Sequence, residues 1–261
     1  HPDVYLPPIK ETNHFAAQDI SEKDFLPEYA QDVSIDLDKY IKSGMKETIH
    51  IAHVNEIRHY EGIFSRANAE KAIGEISNSY MICPSSAKAI HDYNPRAKII
   101  VVLRNPIRRA WSQFLMNLRE AKSEASNFIK ELQEDDAQMP KGWGVNHQYL
   151  ELGKYSGQLK RYMNLFGSDN VLPLFFEDYK SDPVEVLAEV CRFLEIDPGF
   201  EFDFSENSNA AALPRNASLN RLHVKSGILT TAKKLPPRPL RQKMAGALYS
   251  DKNIPALSHD D

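Results

Sequence analysis

Residues 98 to 114 read KIIVVLRNPIRRAWSQF, and this stretch constrains the fold more tightly than any other. After Lys98 the run to Leu103 is continuously apolar and rich in β-branched residues, which predicts a buried parallel strand. Arg104-Asn105-Pro106 ends it, and Pro106 stands where a helix begins. Ile107 to Ala121 is the predicted helix, with Ala110, Phe114 and Leu118 at helical spacing. A strand that opens directly into a helix puts Arg104 at the strand end, where open parallel sheets bind ligands. The helix start adds free backbone N–H groups and a partial positive charge. The expectation is an anion site: Arg104 at the junction, Ser112 about two turns on with its hydroxyl, and Arg108 or Arg109 adding charge. A single arginine after a strand would read as an ordinary surface residue; the whole arrangement is what points to an anion.

The rest of the chain alternates in the same way. Val4 to Ile9 suits an edge strand or an extended segment feeding a loop, because prolines interrupt it. Residues 19 to 66 predict short helices and loops, with weak periodicity over Ile35 to Ile41 and Val54 to Phe64. Ala72 to Ser77 reads as a brief strand and a polar turn, and Pro84 to Ile90 as a helix start. Glu124 to Asp135 predicts a second helix after the junction, Gln138 to Gly144 a loop, and Asn146 to Phe166 a long helix broken near Gly153. Asn170 to Phe176 is another apolar strand and Asp182 to Leu194 another helix. Strands separated by helices predict an α/β fold with a central parallel sheet flanked by helices.

Composition removes several classes of function. Basic residues number 32 and acidic ones 36, a formal charge of −4, where a general nucleic-acid binder would be basic. Cys83 and Cys191 are the only cysteines; they supply no disulfide framework and no zinc spacing, and leave a single bridge open. No apolar run approaches membrane-spanning length. His50, His53 and His59 fall near helical spacing, but no carboxylate or cysteine completes a metal pattern, so a structural or surface role is expected. A basic run from Lys233 to Lys243 reads as a solvated face or an attractor of anions.

The order Arg104-Asn105-Pro106-Ile107-Arg108-Arg109-Ala110-Trp111-Ser112 fits the pattern R-N/D-P-x-x-R-x-x-S. It resembles the 3′-phosphate-binding segment of sulfotransferases that use 3′-phosphoadenosine 5′-phosphosulfate (PAPS), in their bacterial and heparan-sulfate-type branch. Five further segments resemble that family in the same order. Lys10-Glu11-Thr12-Asn13-His14-Phe15 is similar to K-E-x-x-F-F, and Gly74 to Tyr80 to G-E-x-S-P-x-Y. Gly153-Lys154-Tyr155 with Gln158-Leu159 is similar to G-x-Y-x-x-Q-L, Leu174 to Asp178 to a strand ending in Glu-Asp, and Pro214-Arg215-Asn216 to a late P-R-S loop. His1-Pro2 resembles the end of the family's first helix. The resemblance implies a single sulfotransferase-like domain over residues 1 to 261, with a fold like that of the P-loop nucleotide hydrolases.

The resemblance implies roles. Arg104 and Ser112 hold the nucleotide 3′-phosphate, with Tyr155, Arg215 and Asn216 also on the cofactor, while Arg109 falls on a structural arginine. Glu11 is the base. Sulfuryl transfer is an in-line displacement at sulfur, and the attacking hydroxyl or amine must lose a proton that a nearby carboxylate can take. Without the resemblance, Glu11 would read as a cap or as a partner for Lys10. Lys10 aids the leaving phosphate, and Asn13, His14 and Ser77 face the acceptor. Heparan-sulfate enzymes have a histidine two residues after the base and a lysine after the second glutamate, where this chain has Asn13 and Ile76. A small-molecule or lipid-like acceptor is therefore expected beside a saccharide one. The family's K-x-G-T-T/S loop for the 5′-phosphosulfate is expected upstream of His1, and the family's last helix beyond Asp261. A binding or assembly module without catalysis is the alternative to an enzyme. A P-loop kinase is disfavoured, because no G-x-x-x-x-G-K-S/T loop or magnesium carboxylate is evident. A cytoplasmic location is expected from low cysteine use and the bacterial-like motifs, or the Golgi lumen for a heparan-sulfate-type enzyme.

Overall fold

The computed structural model describes residues 1–25, 27–123, 127–137, 148–205, 213–214, 216, 220 and 249–250. Its strands are β1 (Val4–Tyr5), β2 (Ile9–Glu11), β3 (Ile49–Ile51), β4 (Ala72–Ile73), β5 (Ile99–Leu103), β6 (Val171–Phe175), β7 (Leu213–Pro214) and β8 (Tyr249–Ser250). The helices are α1 (Pro27–Asp32), α2 (Leu37–Lys42), α3 (Ile57–Gly62), α4 (Ser79–Ile82), α5 (Ser86–Tyr93), α6 (Pro106–Arg119), α7 (Phe128–Ala137), α8 (Tyr155–Phe166), α9 (Phe176–Ser181) and α10 (Pro183–Leu194). Among the described residues the strands pair in twos. β1 with β4, β2 with β3 and β5 with β6 are parallel, and β7 with β8 is antiparallel. Each parallel pair is joined by a long crossover that carries helices, as parallel pairing requires. The basic run from Lys233 and the loop over residues 138 to 144 lie outside the described residues.

The chain divides into two compact units. The first holds His1–Arg104 and Lys154–Phe202 and contains the three parallel pairs. Its core joins Ile9, Ala52 and Val54 from around β2 and β3 to Ala87 and Ile90 of α5 and Tyr162 and Phe166 of α8. Gly167 ends α8 with φ 76° and ψ 162°, a backbone conformation that is essentially restricted to glycine. α10 starts with Pro183 in its first turn and Asp182 as cap, its carboxylate accepting from Glu185 N at 3.0 Å. Cys83 and Cys191 are free and buried, so no bridge joins them.

The second unit includes α6, α7 and the β7–β8 pair. Asn105 caps α6, its side-chain oxygen accepting from the N–H groups of Ile107 and Arg108 at 3.1 Å each. The buried face of α6 presents Ala110, Phe114 and Leu115, which pack with Phe128 of α7 and with Tyr149. A polar cluster lies under that face. Tyr149 donates to Glu131 Oε1 (2.8 Å), Ser123 to Glu131 Oε2 (2.6 Å), and Asn117 Nδ2 to the Tyr149 hydroxyl (2.6 Å).

Several expectations shift on folding. Ile49–Ile51 forms a strand inside a region whose sequence predicts helices and loops, because pairing with β2 outweighs its weak local pattern. The brief strand expected at the start of residues 72 to 77 is β4, two residues long. The helix expected from Glu124 is described from Phe128 to Ala137. The break near Gly153 is real: a short 3-10 turn at Glu151–Gly153 precedes α8. The apolar run of β5 predicts burial throughout, yet Val101 and Leu103 are buried while Val102 is 62% exposed.

Candidate active site

Glu11 is the last residue of β2, a position that parallel pairing holds firmly. Its carbonyl accepts from Ala52 N at 2.8 Å, and the next carbonyl, of Thr12, accepts from Val54 N at 3.0 Å. The chain then turns sharply. Asn13 is in the left-handed region at φ 54° and leads into a 3-10 turn at His14–Ala16. Asn13 tolerates this because its side chain is locked: Nδ2 donates to Ala52 O (3.0 Å), and Oδ1 accepts from Ser79 Oγ (2.5 Å). The Glu11 side chain is half-buried, and its Oε1 accepts from Asn78 Nδ2 at 3.1 Å. Burial pushes its carboxyl above the ordinary carboxylate range, and the charge of His50 pulls it partly back. Lys10 is exposed, and strand alternation turns it to the opposite face from Glu11.

His14 stacks on Tyr60, with ring centroids 4.2 Å apart and planes 13° from parallel. Its Nδ1 lies 2.6 Å from the Val54 carbonyl oxygen. A carbonyl only accepts, so Nδ1 carries the proton there, and neutral His14 has its lone pair on Nε2. Burial lowers its pKa, against the pull of that carbonyl bond.

A compact network lies behind the turn. Ser77 Oγ accepts from the N–H groups of Thr12 and Asn13, both at 3.1 Å, and donates to Glu75 Oε2 at 2.8 Å. The Tyr80 hydroxyl donates to Glu75 Oε1 and accepts from Phe15 N at 3.3 Å. Burial raises the Glu75 carboxyl; hydrogen bonds from Tyr80 and Ser77 pull it down, and the charge of Glu11 pushes it up again. The structure thus gathers Glu11, Asn13, His14 and Ser77 around one strand end. The hydroxyl of Ser77 is spent on the protein itself, and Asn13 is 1% exposed with its amide engaged. Sequence reasoning gave Glu75, Asn78 and Tyr80 no role beyond their place in the segment that resembles G-E-x-S-P-x-Y. The available signal was a carboxylate, a serine and a tyrosine within six residues after a short strand, in the segment Gly74 to Tyr80.

At the strand–helix junction Arg104 follows β5. Its Cζ lies 5.0 Å from the centroid of the Phe176 ring, and among the described residues its buried Nε finds no hydrogen-bond partner. An orphaned, stacked guanidinium suits an anionic ligand. The expected free N–H groups of the helix start are a different matter. Pro106 has none, and those of Ile107 and Arg108 are taken by Asn105. The α6 start therefore offers no free N–H at Ile107 or Arg108. Ser112 is exposed on α6. Arg109 turns into the second unit, where it donates to Gln113 Oε1 (2.5 Å) and to the Tyr149 carbonyl. Tyr155 opens α8, Asn216 is exposed, and Arg215 lies outside the described residues.

The three histidines considered for a metal are dispersed into other roles. His53 Nδ1 lies 3.7 Å from Glu22, and His59 Nε2 3.4 Å from Asp38. Among the described residues no group of three or more His, Cys, Asp or Glu side chains is placed to hold a metal ion. No helix among them is long and apolar enough to cross a membrane.

Comparison with known proteins places this chain in a family. A family model described as "Sulfotransferase domain" matches residues 13–228. The heparan sulfate N-deacetylase/N-sulfotransferase 1 of Caenorhabditis briggsae, a bifunctional protein, is 22% identical over 170 residues, 62% of this chain and 20% of that protein. The heparan sulfate glucosamine 3-O-sulfotransferase 6 of Mus musculus is 25% identical over 135 residues, 52% of this chain and 38% of that protein. The matches thus span well under half the length of these relatives. A crystal structure of a sulfotransferase from Alicyclobacillus acidocaldarius superposes with a TM-score of 0.67 at 29% identity, covering 80% of this chain and 77% of that one. The α/β fold expected from the sequence is that of this neighbour. With the domain model spanning most of the chain and a solved sulfotransferase sharing its fold, the protein belongs to the sulfotransferase family.

Proposed function

We propose that the protein transfers a sulfuryl group from PAPS to a hydroxyl or amine of an acceptor, with Glu11 as the base. PAPS supplies the sulfuryl group and departs as 3′,5′-adenosine bisphosphate. Glu11 takes the proton from the acceptor oxygen or nitrogen as that atom bonds to sulfur, and later releases it to water. The observation that carries this reading is the state of Glu11: half-buried, raised by desolvation, and set on a strand end whose backbone is hydrogen-bonded on both sides of the turn. A raised carboxylate is a stronger base once ionised. Arg104, stacked on Phe176 with an orphaned Nε, fits the nucleotide 3′-phosphate, and the sequence pattern assigns Ser112 to the same group. Tyr155, Arg215 and Asn216 are assigned to the nucleotide on sequence resemblance alone. Lys10, on the opposite face of β2 from Glu11, is assigned to the leaving phosphate from the sequence alone. The acceptor is a saccharide, a reading supported by the heparan sulfate relatives. His14 Nε2 is a free acceptor for one of its hydroxyls, and exposed Ile76 offers an apolar contact.

The test is calorimetry with 3′,5′-adenosine bisphosphate together with a turnover assay on the full-length protein. Wild type binds the nucleotide, and Arg104→Ala weakens binding at least tenfold. Glu11→Gln keeps the binding and loses turnover. Turnover that survives Glu11→Gln overturns the base, and nucleotide affinity indifferent to Arg104→Ala overturns the phosphate site. Nucleotide binding with no turnover in wild type would favour the non-catalytic module.

A further inference from the structure

Glu75 makes no claim on the reaction as proposed, yet it accepts from the hydroxyls that receive the backbone N–H groups of the Glu11 turn. Hydrogen-bond direction explains why. Ser77 Oγ receives two backbone N–H groups, from Thr12 and Asn13, so its lone pairs are used and its single proton must go elsewhere. That proton goes to Glu75 Oε2 at 2.8 Å. The Tyr80 hydroxyl receives Phe15 N at 3.3 Å and lies 3.2 Å from Thr12 Oγ1; its own proton goes to Glu75 Oε1, so Thr12 is the donor in that pair. Thr12 Oγ1 in turn accepts from His14 N at 3.4 Å. Four consecutive backbone N–H groups, of residues 12 to 15, therefore depend on hydroxyls whose orientation depends on one carboxylate.

We propose that Glu75 is a positioning residue for the transfer step: by accepting both the Ser77 and Tyr80 hydroxyl protons, it turns their lone pairs to the backbone of Thr12, Asn13 and Phe15 and so fixes the turn that presents Glu11 and His14. This rests on the reading of Glu11 as base. Only a group with two acceptor oxygens can receive both protons. A protonated Glu75 or a glutamine offers one acceptor and one donor, and the donor meets a hydroxyl whose lone pairs are already filled. One arm of the network must then reverse and release its backbone N–H groups. The αL backbone of Asn13, at φ 54°, is held by its own side-chain bonds to Ala52 and Ser79 and by Ser77 at its N–H, and loss of the Ser77 contact loosens the turn on that side. Charge coupling between Glu75 and Glu11 agrees with their closeness, since Glu11 is among the groups that raise Glu75.

The experiment combines amide hydrogen exchange with steady-state kinetics on the full-length protein and three variants: Glu75→Gln, Ser77→Ala and Tyr80→Phe. Each arm has its own signature. Ser77→Ala speeds exchange at Thr12 and Asn13 at least tenfold and leaves Phe15 alone; Tyr80→Phe does the reverse. Glu75→Gln speeds exchange in at least one of the two arms. In the kinetics, Glu75→Gln lowers kcat at least tenfold while the affinity for 3′,5′-adenosine bisphosphate stays within twofold, a split that general loosening of the fold would not produce. Exchange at Thr12, Asn13 and Phe15 within twofold of wild type in folded Glu75→Gln overturns the proposal, as does faster exchange with unchanged kcat. Where Glu75→Gln does not fold, the two hydroxyl variants decide, and unchanged exchange in both is the overturning result. If wild type itself shows no turnover, the reading of Glu11 fails on its own account. The exchange data then decide separately whether Glu75 anchors the turn.

Discussion

Replacing Asn13 by alanine removes two hydrogen bonds from the most enclosed point of the site and leaves the backbone where alanine resists being. The amide links the Ala52 carbonyl at 3.0 Å to the Ser79 hydroxyl at 2.5 Å, and both partners are buried, at 0% and 1% exposure. Each partner left unsatisfied costs about 1–3 kcal/mol. Holding alanine at the left-handed φ of residue 13 adds roughly 1–2 kcal/mol. The sum, about 3–8 kcal/mol, is a large part of the ~5–15 kcal/mol by which ordinary domains are stable. Asn13→Gly separates the two effects. It loses the same hydrogen bonds but escapes the backbone cost, against an entropy penalty of about 0.5–1 kcal/mol in the unfolded chain. Glycine should therefore be the more stable variant by about 0–1.5 kcal/mol, the left-handed cost of alanine less the entropy penalty of glycine. Urea unfolding followed by circular dichroism measures both, through shifts in midpoint at constant slope. An alanine variant within about 0.5 kcal/mol of wild type, less than a single typical hydrogen bond, refutes the account. So does a glycine variant less stable than alanine.

Other outcomes follow from single contacts. Turnover should rise with pH through a midpoint above the ordinary glutamate range, because burial raises Glu11 and only its ionised form accepts a proton. The same shift makes the protonated form the one the fold favours, so this contribution to stability is full at acid pH and lost as pH rises through the raised value. Glu11→Gln should thus melt no lower than wild type at neutral pH, while losing about 10²–10⁴ in rate; a large drop in melting temperature would count against it. Phe176→Leu takes the ring from beneath Arg104 and should weaken binding of 3′,5′-adenosine bisphosphate by an amount worth about 0.5–2 kcal/mol in calorimetry; unchanged affinity would show that the stacking does not prepare the guanidinium. Tyr149→Phe strips a hydroxyl from between Asn117 and buried Glu131, and should cost about 2–3 kcal/mol in urea unfolding. Stability equal to wild type would mean that the cluster repairs itself.

The catalytic candidate was legible in the sequence because Glu11 sits in an ordered series of short motifs, and β5, α6, β6 and α10 because each carries a strong local pattern with a proline or an asparagine at its boundary. The helix cap shows the limit of such reading. Asn105-Pro106 announces a helix start, but whether its N–H groups remain free depends on the Asn105 rotamer, which places its oxygen against Ile107 and Arg108. Ile49–Ile51 was not legible at all: three residues carry too little pattern, and only β2 alongside makes them a strand.

What the sequence determined by itself is what lies in local order: alternating strands and helices, an arginine directly after an apolar strand, and a glutamate in a recognisable context. What only the tertiary structure decided is which polar groups satisfy which. Glu75 and Tyr80 lie more than sixty residues from Thr12 and Phe15 on average, yet their hydroxyl and carboxylate orientations hold that turn. Hydrogen-bond direction is a property of a closed network, fixed only when every donor and acceptor has been brought within reach. No stretch of sequence contains it.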